Sequence, residues 1–170
     1  TLGDVKNRAD LVIYWGCNPI HAHPRHLSRY TVYPRGFFRE RGWRDRTLVV
    51  VDARKTDTAK LATHFIQVKP NSDYELLSAL RLAVNGYKIP SEKVAGVPRE
   101  VIEKIATLMK TCHFGAIFFG LGLTMSAGKN RNIDNVLSLV RDLNAYTKFV
   151  IIPMRGHYNV AGFDEVLTWE

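Results

Sequence analysis

An α/β fold with a mostly parallel sheet is predicted by three observations. Short apolar runs rich in β-branched residues recur along the chain, stretches with helical spacing of apolar residues lie between them, and Gly, Pro and Asn mark the junctions. Leu11-Val12-Ile13-Tyr14-Trp15 and Thr47-Leu48-Val49-Val50-Val51 are continuous apolar runs, the pattern of strands buried on both faces. Residues 65–68 form a third strand, closed by the turn Lys69-Pro70-Asn71-Ser72. Ser72 or Asp73 can cap a helix whose face carries Leu76, Leu77, Leu80 and Val84 and which Gly86 ends. Pro98, as a first-turn proline, opens a second helix with Val101, Ile102, Ile105, Ala106 and Met109 at helical spacing. Residues 115–119 form a fourth strand ending in the turn Gly120-Leu121-Gly122. Ile133, Val136, Leu137, Val140 and Leu143 mark a third helix, and residues 149–152 a fifth strand closed by Pro153.

The expected architecture is therefore a Rossmann-like three-layer domain, a single unit over residues 1–170, large enough to bury a core without disulfides. With 46% hydrophobic residues and no apolar run as long as a membrane span, a soluble protein is expected. The start, Thr1-Leu2-Gly3-Asp4, has neither an initiator Met nor signal-peptide character, and both ends read as cuts inside a longer chain. Two cysteines, Cys17 and Cys112, supply no disulfide framework and no CxxC zinc pattern, so a cytoplasmic location is expected. The formal net charge of +8 calls for an anionic partner. Its excess is concentrated between His21 and Arg46, where seven arginines and three histidines meet only Glu40 and Asp45. The later half of that run reads as a solvated basic surface or as one that meets an acidic neighbouring subunit.

Ligands of such sheets bind outside the carboxyl ends of the strands. Four segments fall there: Gly16 to Pro19, Asp52 to Thr56, Pro70 to Asp73, and Gly120 to Thr124. Gly16 permits close backbone approach, Asn18 supplies an amide, Arg25 and Arg29 could neutralise phosphate, and Asp52 stands where dinucleotide folds place a ribose-hydroxyl acceptor. The same residues equally suit plain turns and a helix cap. The absence of GxGxxG argues against an ordinary NAD dehydrogenase, and the Gly120/Gly122 pair alone is a weak signal. His21, His23 and His26 with Cys17 invite a metal reading, but the spacing is loose and Pro19 and Pro24 interrupt it, so no metal ligand is assigned. Cys112, at a helix end, reads as a small core residue. Arg155 follows the fifth strand on the ligand side, where an arginine can bind a carboxylate or oxyanion, or close a salt bridge.

Five segments occur together in the order of one family: Trp15-Gly16-Cys17-Asn18-Pro19 with His23-Pro24; Val51-Asp52-Ala53-Arg54-Lys55-Thr56; Lys69-Pro70-Asn71-Ser72-Asp73; Gly120-Leu121-Gly122-Leu123-Thr124; and Arg155-Gly156-His157-Tyr158-Asn159-Val160-Ala161-Gly162. The chain resembles the molybdopterin-dependent oxidoreductases of the formate dehydrogenase and dimethyl sulfoxide reductase superfamily, and within it the catalytic subunits of formylmethanofuran dehydrogenases, of which it would be an internal fragment. The resemblance implies a cofactor-binding domain for one of two molybdopterin guanine dinucleotides that together carry tungsten or molybdenum. The parent enzyme would reduce CO2 to formate in the C1 metabolism of methanogenic archaea. The implied cofactor contacts are Gly16, Cys17, Asn18, Pro19, His21, His23, Asp52, Arg54, Thr56, Pro70, Asn71, Asp73, Gly120, Gly122 and Thr124. Of these, Gly16, Asn18 and His21 would approach the pyrophosphate, Asp52 and Arg54 the nucleotide, and Asp73 the guanine edge. Arg155 would orient a formate-like substrate as the catalytic residue. Ala53 stands where the family often has Pro, and Asn71-Ser72 where it often has Gly-Thr or Gly-Ser. The family's metal-ligating cysteine or selenocysteine and its 4Fe-4S motif precede the residue that here is Thr1, so the isolated fragment is expected to be inactive. Its implied partners are the other domains of the parent subunit and the other subunits of the dehydrogenase complex. Two alternatives remain: the same domain of a formate dehydrogenase, and a non-catalytic α/β module docking nucleic acid or a partner through its arginines.

Overall fold

The computed structural model describes residues 1–156 and 160–168. Its first element is helix α1 (Leu2–Arg8), capped by the Thr1 side chain, which accepts from the Asp4 backbone N–H while Asp4 reaches back to the cap. That Thr-x-x-Asp signal is visible in the sequence. There follow β1 (Leu11–Trp15), the helical turn α2 (Pro19–Ala22), β2 (Thr47–Asp52), α3 (Asp57–Lys60), β3 (His64–Gln67) and α4 (Asp73–Val84). The short hairpin strands β4 (Lys93–Val94) and β5 (Val97–Pro98) precede α5 (Arg99–Thr111). Then come β6 (Phe114–Phe119), α6 (Leu121–Thr124), α7 (Asn130–Leu143), β7 (Lys148–Pro153) and α8 (Val160–Leu167). A π-helical turn (Leu27–Thr31) and a 3-10 turn (Gly42–Asp45) lie between α2 and β2.

The five-stranded sheet is parallel throughout, in the order β3-β2-β1-β6-β7. Strand alternation sorts its side chains into two cores. Leu11, Ile13 and Trp15 of β1 pack with α4, α5 and α7, and Val12 and Tyr14 pack with α1, Leu27 and Ala59. The result is the expected three layers. Because β1 leads outward to β2 and β3 on one side while β6 and β7 extend the other, the strand order reverses between β1 and β6. At such a reversal the two strand-to-helix connections diverge to opposite faces and open a crevice.

Three local expectations need correction. Pro98 is not inside the helix but ends β5, and α5 begins at Arg99. The Gly120-Leu121-Gly122 turn is the start of a helical turn, α6. Pro153 belongs to β7, pairing with Phe119 from an edge strand, where a missing N–H is tolerated.

The arginine run divides on folding. Arg46 is 8% exposed, and its guanidinium donates to four backbone carbonyls: Ala9 at 3.2 Å, Val32 at 3.1 Å, and Pro34 and Lys6 at 2.5 Å each. It fastens the excursion before β2 onto α1. Burial also pulls its pKa below the usual arginine value. Arg46→Lys is expected to cost about 2–3 kcal/mol in urea unfolding, because one ammonium cannot span four carbonyls and leaves buried acceptors unpaired. An unchanged midpoint would show that the fork does not hold the excursion.

Candidate functional site

The carboxyl ends of all five strands share one edge, and the site is built there from backbone first. Gly16 has φ +58, and its N–H still donates to Val51 O at 2.9 Å. Gly122 N–H donates to Gly16 O at 2.8 Å, and Gly120 N–H to Trp15 O at 3.0 Å. A Cβ on Gly16 would stand 2.5 Å from Leu123 N, and one on Gly122 would stand 2.6 Å from Gly16 Cα. The glycines after β1 and β6 are therefore required by each other: two strand ends cross in backbone contact at the switch point. Glycine spacing within either turn does not reveal this.

Two adjoining clefts lie over this crossing. The larger, about 730 Å³, is lined by Gly16, Cys17, Asn18, His21, Ala22, His23, Asp52, Arg54, Lys55, Thr56, Asp57, Gly120, Leu121, Gly122, Met154 and Gly156. The smaller, about 270 Å³, shares Gly16, Asp52, Leu121 and Gly122 with it and adds Ala53, Val68, Pro70, Asn71, Asp73, Met125 and Ser126. Thirteen residues named from the sequence thus come together along one edge. Pro19 and Thr124 do not line either cleft: Pro19 is buried in the first turn of α2, and Thr124 ends α6. Arg25 and Arg29 are also outside the lining, because the chain after α2 swings into the π-helical turn, whose Leu27 and Thr31 are buried against the sheet. The cationic wall is Arg54 and Lys55 instead.

Asp73 opens α4 and is 5% exposed. Trp15 Nε1–H donates to its Oδ1 at 2.8 Å and Ser126 Oγ to its Oδ2 at 2.6 Å. The carboxylate therefore ties the end of β1 and the loop after α6 to the head of α4. Asn71, at φ 63, accepts from Ala127 N–H at 3.1 Å and locks the same loop. Asn18 accepts from Thr58 Oγ1 at 2.6 Å, which joins α2 to α3, and Thr56 caps α3 by accepting from Ala59 N–H. Asp52 is no helix cap: its Oδ1 accepts from Arg54 N–H at 3.0 Å, shaping the turn. Burial raises its pKa above the ordinary carboxylate value.

The histidines separate in space. His21 Nε2 lies 2.6 Å from Asp57 Oδ2, and that contact together with Lys60 holds the Asp57 pKa down to about 2. His23 Nε2 lies 3.0 Å from the backbone oxygen of Arg155, so it fixes the loop after β7 against the cleft. Its Nδ1 is buried without a hydrogen-bond partner. His26 lies beneath, with Nδ1 2.8 Å from the Tyr14 hydroxyl, which is 2.6 Å from Thr31 Oγ1. Among the described residues no three His, Cys, Asp or Glu side chains are grouped to hold a metal ion. Cys17 donates to Phe118 O at 3.6 Å, and burial pushes its thiol pKa up to about 12, so it lines the cleft as a neutral group. Cys112 ends α5, half-buried, with its thiol likewise raised to about 12 by burial.

Arg155 is exposed between Met154 and Gly156, which line the larger cleft, but is not itself among the lining residues. His157, Tyr158 and Asn159 of its motif lie outside the described residues. Ala22, Ala53, Lys55, Asp57, Val68, Leu121, Met125, Ser126, Met154 and Gly156 are the lining residues that the sequence did not single out as contacts. Of these, Ser126 carries no local signal at all, because its role is set by a carboxylate 53 residues away. The cleft thus offers backbone at the glycine crossing, a cationic wall, a carboxylate at the end of β2 and another at the head of α4. This set suits an elongated ligand with phosphates and polar rings.

No family model matches the chain. Over 169 residues it is 62% identical to the B subunit of the tungsten-containing formylmethanofuran dehydrogenase 2 of Methanocaldococcus jannaschii, and equally to that of Methanococcus maripaludis. The match takes in 99% of this chain and 39% of each relative, so the chain spans about two fifths of the length of these curated relatives. Formate dehydrogenase H of Escherichia coli is 25% identical over 184 residues, 92% of this chain and 25% of that protein. Among solved structures, a chain of the formyltransferase/hydrolase complex from Methylorubrum extorquens, in complex with methylofuran, superposes with a TM-score of 0.67. That match covers 99% of this chain and 42% of the other at 15% identity, and shows the fold alone. The likeness expected from the five motifs is thus found over nearly the whole chain. No helix among the described residues is long and apolar enough to cross a membrane.

Proposed function

We propose that this chain is a cofactor-binding domain of the catalytic subunit of a formylmethanofuran dehydrogenase and holds one of two molybdopterin guanine dinucleotides. The observation that carries the reading is the gathering of four separate motif segments around one cleft of about 730 Å³, continuous with a second of about 270 Å³. An elongated dinucleotide fits an edge-long crevice of this volume, which lies within the range of small-molecule sites. When bound, the cofactor pair supplies the tungsten or molybdenum at which the parent enzyme would reduce CO2 to formate.

The chain's residues divide that work. Gly16 and Gly122 keep side chains off the crossing so that backbone can approach a pyrophosphate. Asn18 is oriented by Thr58, and Arg54 and Lys55 offset phosphate charge. Asp52, already turned by Arg54 N–H, takes the nucleotide's hydroxyls. Asp73 reads guanine through the second lone pair on each oxygen, its first pair being taken by Trp15 and Ser126. Those two donors fix the carboxylate before any ligand arrives. Arg155, between two residues that line the cleft, orients a formate-like carboxylate, its backbone held by His23. The protein is assigned to the cytoplasm, within a complex of several subunits.

The test is mass spectrometry and metal analysis of the full-length protein purified from its native host. The expected result is two pterin guanine dinucleotides per tungsten or molybdenum, and Asp73→Ala should lower guanine dinucleotide recovery at least about tenfold, as expected when a charged hydrogen bond is removed. Recovery of protein without any pterin guanine dinucleotide would sink the reading. Turnover of formate but not of formylmethanofuran would assign it to the formate dehydrogenases instead.

A further inference from the structure

We propose that the excursion from Tyr33 to Arg44, at the edge of the sheet opposite the clefts, is a docking surface for a second protein chain that presents carboxylates among apolar side chains. This goes beyond the dehydrogenase reading and does not rest on it.

The excursion is fastened to α1 chiefly by backbone and arginine hydrogen bonds, with one ring, Phe38, also in contact with Arg8. Phe37 and Phe38 N–H donate to the Asn7 side chain and Asn7 backbone oxygen, each at 3.0 Å. Arg39 Nε donates to Arg8 O at 3.0 Å, and Arg46 grips the carbonyls on both sides. Gly36 lies so close to α1 that a Cβ there would collide with Lys6 O. Fastened this way, the segment leaves Phe37 77%, Trp43 56% and Phe38 51% exposed. Large rings held in water by a preordered backbone lose little further freedom on binding, and that favours them as anchors in an interface.

Charge identifies the occupant. Residues 21–46 hold seven arginines and no lysine. Arginine together with Trp, Phe and Tyr is the composition enriched in protein interfaces, where lysine is depleted. Within 33–46, the ion pairs among the described residues are Arg39 with Asp10 and Arg41 with Asp45. Two recesses flank Arg39 and His113, of about 730 and 440 Å³. Arg8 and Lys148 line the first, Arg41 and Arg44 the second. Cations outnumber the carboxylates in both, Asp4 in the first and Asp10 and Asp45 in the second; Phe38 lines the first and Trp43 precedes Arg44 of the second, an arrangement matched by a carboxylate beside an apolar group on the partner.

Stacking of successive bases on single-stranded nucleic acid calls for rings spaced along a groove with free faces. Here Arg8 covers one face of Phe38 at 5.0 Å and Arg44 one face of Trp43 at 5.3 Å, while Phe37 and Phe38 stand edge to face at 4.8 Å. The guanidiniums are thereby held in place to receive carboxylates in a bidentate manner.

The experiment uses the full-length protein in its native host with p-benzoyl-L-phenylalanine at position 37 or 43, irradiated in cells, and adducts mapped by tandem mass spectrometry. The same replacement at Tyr87, 67% exposed elsewhere on the surface, is the control. The expected result is an adduct from both positions, and not from 87, to one acidic segment of one other protein. Adding Arg41→Glu and Arg44→Glu should reduce its yield at least about tenfold, since like charges across an interface cost several kcal/mol. Adducts to the protein's own chain, adducts to RNA, no adduct, or a yield indifferent to charge reversal would each overturn the proposal. Cofactor content of the same preparation is read separately: pterin missing with the adducts intact would remove the dehydrogenase reading alone.

Discussion

Gly16→Ala will lower the unfolding free energy by roughly 3–5 kcal/mol, whereas Gly86→Ala will cost about 1 kcal/mol. Both glycines have positive φ, +58 and +79, so a backbone penalty falls on each. They differ in what surrounds them. A Cβ at Gly86 meets nothing within 4 Å, while one at Gly16 lies 2.5 to 2.8 Å from Leu123 N, Gly122 C and Gly122 Cα, all backbone. Backbone on both sides cannot rotate away as a side chain would, so β1 and β6 must part at their carboxyl ends. For a domain of this size each kcal/mol shifts Tm by roughly 2–4 °C, so differential calorimetry resolves the two variants easily. Because the same crossing floors the cleft, Gly16→Ala should also weaken the dinucleotide binding proposed for it. Equal destabilisation by the two substitutions would mean that the strand ends are not in contact.

Acid will unfold this protein earlier than its carboxylates alone require, by about 3 kcal/mol between pH 6.5 and 4. Burial, aided by nearby His23, lowers the His26 pKa from 6.5 to about 4. In that interval the unfolded chain binds a proton that the folded one refuses. The stabilisation is therefore fully present above pH 6.5 and is lost as pH falls toward 4. His26 is packed edge to face on Phe118 at 4.8 Å and lies by Tyr14, Tyr30 and His23, none of which supplies a counter-charge in this range. Urea titrations from about pH 7 to 4 should show this slope in the parent chain and not in His26→Gln. A parallel slope in both would place the acid sensitivity elsewhere.

How much of this was legible from residue order depends on the range of the interaction. Apolar runs buried on both faces and helices with period 3.6 are local, so all five sheet strands and the three long helices were readable. So was the edge at which Asp52, Arg54 and Asp73 would meet. Motif order also pointed to the family in which relatives are found at 62% identity. Strand order was not readable, because nothing in a strand states its neighbour. The partners of Asp73 lie 58 residues before it, at Trp15, and 53 residues after it, at Ser126. The four carbonyls on Arg46 likewise come from separate stretches of chain, which made a buried clamp look like one more surface arginine. Residue order alone therefore sets the elements, their apolar faces and the chemistry gathered at one edge. Which glycine touches which, which arginine is buried and which are left facing outward emerge only on folding, because those outcomes depend on contacts between segments remote in the chain.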